Sequence, residues 1–197
     1  MTSESSRMSK SPIPAASIGL ESVASEGSPP LTIHKFSELE GRVQSFALEA
    51  IASINAETST EKGKTWKGYT DVIRGRLEDC ENAKNTLFIA RKGDQVVGYC
   101  AFYTLKDEVY PSQFLDNDGQ AYCSWTAVDK DFKGQGIASE LKLQVFSPES
   151  GFTAFKGHIK RTNDASLRVL QKFAEKGYAV AQKVDARQVY YTVTKPS

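Results

Sequence analysis

The sequence predicts an α/β fold with a mixed, mostly antiparallel central sheet and helices on both faces. Seven short runs have the composition of strands, and four segments between them have helical spacing. Some of the strand-like runs follow one another with only a turn between them, which is typical of antiparallel hairpins. Helices interrupt this strand series, so they must cover the sheet. The predicted order is β-α-α-β-β-β-α-β-α-β-β.

The length of 197 residues suits one domain with a tail. Residues 1–30 are rich in Ser and Pro and contain no aromatic residue, so they cannot bury enough surface to offset their ordering entropy. We interpret residues 1–30 as a disordered tail and residues 31–197 as a single domain. An alternative for the tail is an unstructured export signal, as in bacterial effectors, which would make this a secreted protein.

Charge and composition argue against several classes of function. The formal net charge is +1, so nothing global favours binding to nucleic acid or to an anionic membrane. No apolar run approaches the roughly 18–20 residues of a membrane-spanning helix. With 3 widely spaced cysteines and 2 histidines, we expect no metal site. Cys100 and Cys123 lie in strand-like runs and are expected to be reduced core thiols, which fits a cytoplasmic protein.

The first elements of the domain are a strand, two helices and a hairpin. "LTIHKF" (31–36) alternates like a strand, and Ser37 forms an S-x-x-E capping box with Glu40 that predicts a helix start. A polar loop separates this helix from a second one over 69–84. Two apolar strands then flank "KGD" (92–94), which is a hairpin signal.

The second half alternates strands with helices. "QAYCSWTAV" (120–128) is a strand that runs into a glycine-bearing loop and a helix. "GFTAFKGHI" is the next strand. The helix after it is capped by Asn163 or Asp164 and ends at Gly177. "YAVAQ" and "QVYYTV" are the last two strands.

The loop in "VDKDFKGQGIASEL" (128–141) places Gly134 and Gly136 just before a helix. A helix N-terminus has unpaired N–H groups and a partial positive charge, and glycine allows close approach, so this junction can hold a pyrophosphate. A Walker A loop is excluded because Ile-Ala, not Lys-Ser/Thr, follows the last glycine. A dinucleotide fingerprint is disfavoured because Ser139 replaces its third glycine. On these residues alone, a tight turn and an anion site both remain open.

The ordered motifs around this loop resemble the GNAT acetyltransferase superfamily. The family's acetyl-CoA loop, Q/R-x-x-G-x-G/A, is similar to "KGQGIA", with Lys133 in place of Gln or Arg and Lys130 in place of a usual proline. "FIARKGDQVVGYCAF" resembles the family's second and third strands, including Gly98. "NDASLRVLQK" resembles its N-x-x-S/A helix, and "EKGY" its closing x-x-G-F. The resemblance covers about residues 87–178.

The resemblance implies that the fourth and fifth strands splay apart and that acetyl-CoA, the acetyl donor, lies in the gap. Its pyrophosphate would accept hydrogen bonds from N–H groups of the loop, and its pantetheine arm would pair with the fourth strand like an added strand. A plain helix N-cap is a further role for Asn163. The implied cofactor-binding residues are Thr126, Ala127, Val128, Lys133, Gly134, Gln135, Gly136, Ile137, Ala138, Asn163 and Ser166.

The resemblance also implies direct transfer to an amine, with the oxyanion stabilised by a backbone N–H, for which we expect Val128. The tyrosine acid of many members is missing, because Leu170 stands seven residues after Asn163. Tyr190 or Tyr191 could reach in from the last strand instead. No acid at all is the other alternative, since a thiolate leaves readily.

The candidate bases are Tyr122 and His158. Tyr122 stands where some members carry a glutamate, but an unperturbed phenol pKa near 10 makes it a poor base at neutral pH. His158, near the end of the fifth strand, has a suitable pKa, and a purely structural histidine is the alternative. Ser124 is expected to share the face of Tyr122 by the period of two, and His34 is expected to be structural or exposed.

The resemblance therefore predicts an acetyl-CoA-dependent N-acetyltransferase, a monomer or homodimer, acting on an amine of a small molecule or of a protein. Its acceptor site would involve the loop 58–69 with Trp66 and Tyr69, the acidic loop 110–118, and residues 182–188. The missing tyrosine leaves an alternative, a catalytically silent acyl-CoA-binding sensor or interaction module.

Overall fold

The computed structural model describes residues 28–58, 71, 86–103 and 120–196. Seven strands form one sheet in the order β1-β2-β3-β4-β5-β7-β6. β4 and β5 are parallel and the other neighbours are antiparallel, which confirms the mixed, mostly antiparallel prediction. The strands are β1 (Leu31–Lys35), β2 (Leu87–Lys92), β3 (Gln95–Tyr103), β4 (Gln120–Val128), β5 (Ala154–Lys160), β6 (Ala179–Val184) and β7 (Gln188–Thr194).

Helices of the described ranges pack on both faces of the sheet, as predicted. α1 (Gly41–Thr58) covers one face, and α2 (Ile137–Leu143) and α3 (Asp164–Glu175) cover the other. Among the described helices, none has the length and apolar character needed to span a bilayer.

The prediction that Ser37 opens the first helix is wrong. Phe36–Glu38 forms a single 3-10 turn, and α1 begins at Gly41. Phe36 and Leu39 are both buried, and Leu39 has an extended backbone with ψ of 140°. The extended residue lets both side chains reach the core, and it interrupts the helix that the capping pattern would otherwise start. Tertiary burial here overrides a local signal.

Several predicted segments lie outside the described residues. They include residues 1–27 of the expected tail and nearly all of the second helix over 69–84. The acceptor loop with Trp66 and Tyr69 and the acidic loop 110–118 also lie outside them.

Each face of the sheet carries its own hydrophobic core. On the α1 face, Ile51 and Ile89 are fully buried. On the α2–α3 face, the Phe155 ring meets Phe102 and Phe173 edge to face, with centroid distances of 5.6 and 5.7 Å. Such pairs add about 0.5–1.5 kcal/mol each to the free energy gained by burial. The sheet is therefore fixed from both sides.

β4 and β5 pair over a short length and then separate. Their three pairs are Gln120 with Ala154, Ala121 with Phe155, and Tyr122 with Lys156. Beyond them β4 continues beside β3, and β5 continues beside β7. This confirms the predicted splay. We call the opening between residues 123–128 and 157–160 the wedge.

A β-bulge marks the start of the wedge. Phe102 pairs with Cys123 and Ala101 pairs with Trp125, so Ser124 is an extra residue in β4. The two-residue alternation of faces is therefore interrupted between Cys123 and Trp125, and the face expected for Ser124 stays a prediction. As a further result, Cys123 and Thr126 reach the same face of the sheet, where both contact one lysine of α2.

The close approach of α2 to the sheet depends on Gly98 of β3. A Cβ on Gly98 would lie 3.0 Å from the carbonyl oxygen of Ala127 and 3.3 Å from Cδ1 of Leu141 in α2. The first atom belongs to the backbone and cannot move without shifting β4.

We expect Gly98→Ala to lower the free energy of unfolding by about 1–3 kcal/mol, the usual cost of overpacking. Gly41→Ala is the matched control, because a Cβ on Gly41 meets nothing within 4 Å and alanine favours the helix that begins there. Urea denaturation of both variants measures the difference. Equal stabilities for Gly98→Ala and the wild type would show that the contact at Gly98 does not constrain the fold.

Candidate active site

The wedge exposes backbone hydrogen-bonding groups of β4. The Asp129 N–H donates to the Val97 carbonyl at 2.9 Å, which fixes the alternation of this antiparallel pair. Ala127, like Asp129, directs its N–H and C=O groups at β3, whereas Thr126 and Val128 direct theirs into the wedge. Within the described residues, no strand pairs with this edge beyond the third β4–β5 pair. The edge can therefore take an extended ligand as an added strand.

The loop that follows β4 is shaped by its own contacts. The Asp129 carboxylate accepts a hydrogen bond from the Asp131 N–H at 2.9 Å and caps a 3-10 turn. Gly134 and Gly136 then adopt left-handed φ angles of 81° and 82°, a conformation that costs other residues about 1–2 kcal/mol. A Cβ on either glycine would meet nothing within 4 Å. Glycine is required here by the backbone angle and not by crowding. We call Lys133–Ala138 the glycine loop.

α2 begins at Ile137, within the glycine loop, and Gly136 is its N-cap. The Ser139 and Glu140 N–H groups both donate to the Gly136 carbonyl, at 2.9 and 3.2 Å. The N–H groups just before them, including those of Ile137 and Ala138, lie at the helix start, where a helix offers them no carbonyl. With the partial positive charge of the helix end, this arrangement can bind an anion.

Two lysines add positive charge at the glycine loop. Lys133 lies in the loop and is exposed. Lys92, at the end of β2, donates to Gln135 Oε1 at 2.7 Å, and its ammonium lies 5.5 Å from the centre of the Phe132 ring. Sequence reasoning missed Lys92 because only the pairing of β2, β3 and β4 brings it to a loop more than forty residues away.

The carboxylate in the first turn of α2 is also paired. Glu140 accepts a hydrogen bond from the Lys176 ammonium at 2.8 Å, just after the end of α3. Both side chains are nearly half exposed, so the pair contributes little stability. It does partly neutralise a negative charge close to the anion-binding end of α2.

Asn163 caps α3 near the open end of the wedge. Its side chain accepts a hydrogen bond from the Ser166 N–H at 3.1 Å, which is the plain N-cap that the sequence allowed. The cap engages Oδ1, and the Nδ2 amide group remains as the donor of this side chain. Ser166 is half-buried in the first turn of the same helix.

Tyr122 and His158 meet where β4 and β5 part. The Tyr122 hydroxyl and His158 Nδ1 are hydrogen bonded. Tyr122 is buried, whereas the His158 ring is partly exposed. Tyr190 of β7 lies next to the imidazole, with a ring centroid distance of 6.2 Å. Tyr122 and His158, which the sequence offered as two separate candidate bases, are therefore joined by a hydrogen bond.

Burial lowers the pKa of His158 below its ordinary value of 6.5, and the nearby charge of Cys123 opposes this in part. The imidazole is therefore neutral near pH 7 and can accept a proton. Because Nδ1 is bonded to Tyr122, Nε2 is the ring nitrogen through which His158 can serve a ligand.

The remaining residues considered as proton donors or acceptors lie in the core or away from the wedge. Leu170 is 1% exposed in the core and has no proton to donate. Tyr191 is buried on the α2–α3 face, its ring centroid 6.1 Å from that of Phe155, so of the two C-terminal tyrosines only Tyr190 lies beside His158. His34 is half-buried in β1, at the edge of the sheet. Within the described ranges, no three His, Cys, Asp or Glu side chains group as metal ligands.

We expect the His158 imidazole to titrate below 6.5 when followed by proton NMR between pH 4 and pH 9. Because the folded state disfavours its protonation, this residue should lower stability as pH falls from 6.5, where the unfolded state takes up the proton, down to the lowered pKa of the folded state, and His158→Gln should remove this part of the pH dependence. With 2 histidines in the chain, His34→Gln assigns the resonances. A His158 pKa at or above 6.5 would contradict the burial of this ring.

Comparisons with known proteins agree with the fold. It is similar to that of diaminobutyrate acetyltransferase EctA from Paenibacillus lautus in complex with L-2,4-diaminobutyric acid and coenzyme A, with a TM-score of 0.61, 14% identity and coverage of 85% of this chain and 96% of that one. It is also similar to the NatC complex bound to Gag peptide and CoA, with a TM-score of 0.57, 13% identity and coverage of 85% of this chain and 99% of that one. A third similar structure is yncA from Salmonella typhimurium with acetyl-CoA, with a TM-score of 0.54, 14% identity and coverage of 85% of this chain and 95% of that one.

The sequence itself also matches a known family. A comparison with curated protein sequences found no match. The profile of the Acetyltransferase (GNAT) family, however, matches residues 49–174, which include the wedge strands, the glycine loop and most of α3. The resemblance seen in the sequence is thereby confirmed, and the chain belongs to the GNAT acetyltransferase family.

Proposed function

We propose that this protein is an acetyl-CoA-dependent N-acetyltransferase that transfers the acetyl group directly to an amine. The observation that carries the proposal is the wedge, whose β4 edge offers unpaired backbone groups directly beside an anion-binding glycine loop. Two structural neighbours support the reaction class: one is bound to the diamine L-2,4-diaminobutyric acid and CoA, and another is bound to a peptide and CoA. The acceptor of this chain is an amine of a small molecule or of a protein.

The glycine loop fits the donor pyrophosphate. Its N–H groups before Ser139 are not used by the helix, and Lys133 and Lys92 supply positive charge at its start. The left-handed glycines leave the space beside the loop open to a ligand. A diphosphate with two negative charges is the kind of anion that such a helix start and two lysines bind.

The β4 edge fits the pantetheine arm, whose two amides can pair with the outward-facing groups of Thr126 and Val128. The Val128 N–H points into the wedge and can donate to a developing oxyanion on the thioester carbonyl. A single donor of this kind is worth about 2.7–4 kcal/mol of transition-state stabilisation in well-ordered sites. The Asn163 amide, at the start of α3, is placed to donate to the same arm.

His158 serves as the general base and Tyr122 as the general acid. In the tautomer that this requires, His158 Nδ1–H donates to the Tyr122 oxygen, and the Nε2 lone pair takes the proton of the attacking ammonium, directly or through a water. The Tyr122 hydroxyl then gives its proton to the departing thiolate. This pair supplies the proton transfers that Leu170 cannot.

A second candidate function is an acyl-CoA-binding sensor without turnover. The burial of Leu170 favours it, because a tyrosine acid at this position is absent and its place is filled by core packing. Both candidates require donor binding, and they differ only in whether an amine accelerates the release of CoA.

We expect Gly136→Asp to weaken acetyl-CoA binding by about tenfold or more, because the new carboxylate would face the pyrophosphate. The repulsion between two like charges roughly 4 Å apart is about 1–4 kcal/mol near a protein surface. Gly151→Asp is the matched control. It adds the same charge at a similar left-handed angle, φ of 68° against 82°, near the start of β5 and outside the wedge. Isothermal titration calorimetry measures both. No binding by the wild type, or equal loss in the two variants, would overturn the donor site.

We expect His158→Gln to lower kcat/KM by about 100-fold or more and to remove the acidic limb of its pH profile, which should lie below 6.5 in the wild type. Tyr122→Phe should lower kcat less, since a thiolate is a good leaving group. His34→Gln, in the edge strand, should have no effect. The assay is CoA release with a panel of small amines and peptides. Donor binding without acceleration by any amine would support the sensor.

A further inference from the structure

A buried polar cluster lies on the α2 face of β3 and β4, and the proposed reaction does not use it. Lys142 of α2 donates from Nζ to Cys123 Sγ at 2.7 Å and to Thr126 Oγ1 at 2.9 Å. Cys100 Sγ lies 3.7 Å from Cys123 Sγ and 3.1 Å from Thr126 Oγ1. Cys100, Cys123 and Lys142 are 0%, 6% and 8% exposed. We call these four residues the dithiol cluster.

The Lys142 ammonium needs a counter-charge, because burying an unpaired charge is very costly. In the described ranges, no carboxylate forms an ion pair with it. A hydrogen bond from Cys100 and the attraction of Lys142 hold the pKa of Cys123 well below its usual value, although burial opposes them. Burial is the largest influence on Lys142 and acts to lower its pKa, but the attractions of Cys123, Tyr191 and Cys100, together with the hydrogen bond to Cys123, outweigh burial and raise that pKa. The pair is therefore a thiolate and an ammonium.

The other titratable groups around Cys123 remain neutral. Burial raises the pKa of Cys100, which stays a thiol. Burial likewise raises the pKa of Tyr191 on β7. His158 on β5 is neutral near pH 7, for the reason given above. The cluster thus holds one thiolate, stabilised by one ammonium, with a second thiol close to it. This is the arrangement in which a cysteine reacts with oxidants.

We propose that the dithiol cluster is an oxidation site that takes a small hydroperoxide, in which Cys123 is the reactive thiolate and Cys100 the resolving thiol. Cys123 S⁻ attacks one oxygen of hydrogen peroxide, the O–O bond breaks, and the hydroxide that leaves takes a proton from Lys142 to become water. Cys100 then attacks the sulfenic acid sulfur, an S–S bond forms, the S–O bond breaks, and a second water leaves. Two thiols lose two electrons, and the peroxide gains them.

The position of Cys123 makes the reaction feasible. It is the first β4 residue beyond the pairing with β5, at the apex of the wedge, and it is only 6% exposed, so the proposed reaction requires an oxidant as small and neutral as hydrogen peroxide, which enters through local opening of the wedge. The two sulfur atoms must move from 3.7 Å to about 2.05 Å. Cys100 pairs with Thr126, and the bulge at Ser124 re-aims Cys123 to the same face of the sheet as Cys100, which brings the two sulfur atoms together.

Oxidation leaves Lys142 a neutral amine without its thiolate partner. Lys142 belongs to the helix that carries the glycine loop, and Thr126 belongs to the β4 edge. We therefore expect disulfide formation to weaken acetyl-CoA binding by about tenfold, a typical coupling between linked sites. Only this consequence rests on the proposed function. The oxidation of Cys123 and Cys100 does not require acetyl-CoA to bind.

The test treats the full chain with hydrogen peroxide under native conditions and then blocks free thiols. Peptide mapping by mass spectrometry should find Cys100 and Cys123 joined. The same link should form in Cys80→Ser, which removes the third cysteine, a residue outside the described ranges. In Cys100→Ala, Cys123 should instead be trapped as a sulfenic acid by dimedone. If both thiols remain free, or only links to Cys80 form, the proposal is overturned.

The role of Lys142 is tested by Lys142→Met, which keeps the volume and lets Cys123 become a neutral thiol. Because Cys123 can then take a proton and become neutral, the variant leaves no uncompensated buried charge, which is the main cost of removing one partner of a buried pair. The wild-type oxidation rate should be nearly constant from pH 6 to pH 8. The variant should react on the order of tenfold more slowly at pH 7 and speed up with pH, since a free thiol has a pKa near 8.5. Equal rates and equal pH dependence would show that Lys142 does not activate Cys123.

The wild type provides the test if Lys142→Met does not fold, because an oxidation rate that rises steeply from about pH 6 to pH 8, as for a free thiol, would show that Cys123 is not an activated thiolate. Calorimetric titration of acetyl-CoA into reduced and oxidised protein measures the coupling. A link between Cys100 and Cys123 with unchanged donor affinity would overturn that coupling, and the mass measurement would stand even if the protein bound no acetyl-CoA.

Discussion

The three residue pairs between β4 and β5 are the constraint on which the rest of the structure depends. They hold β5, β7 and β6 to the other half of the sheet, and they stop at Tyr122. If the pairing continued, the outward groups of Thr126 and Val128 would be bonded to β5 and no edge would remain for a ligand. The bulge at Ser124 immediately follows the last pair, and a bulge raises local twist, which accounts for the strands parting there.

The same few residues of β4 supply chemistry to both faces of the sheet. Tyr122 points towards His158, and its neighbour Cys123 points towards Lys142 on the opposite face. The two sites are electrostatically connected, since the charge of Cys123 acts on the pKa of His158. A strand at which pairing ends thus places the proposed proton-transfer pair and the proposed reactive thiolate at adjacent residues, on opposite faces of the sheet.

Local sequence patterns were sufficient to predict most of the fold and the position of the glycine loop. The run over 120–128 coincides with β4, and Asn163 and Gly177 bound α3 as predicted. The helix start predicted at Ser37 was wrong because the burial of Phe36 and Leu39 outweighed a capping pattern that stabilises a helix by about 1 kcal/mol. Lys92 and Lys142 could not be found from the sequence, since each meets its partners through strand pairing or helix packing between distant residues. A one-residue bulge such as that at Ser124 also leaves no signal in hydrophobic periodicity.

Among the described residues, the two faces of the sheet have separate cores with no buried residue in common. One contains the packing of α1, and the other contains the packing of α2 and α3 beneath the glycine loop. The free-energy effects of substitutions in cores that share no contacts usually add. A cavity made in the core of the α1 face should therefore lower the stability of the whole sheet while the packing beneath the glycine loop stays unchanged.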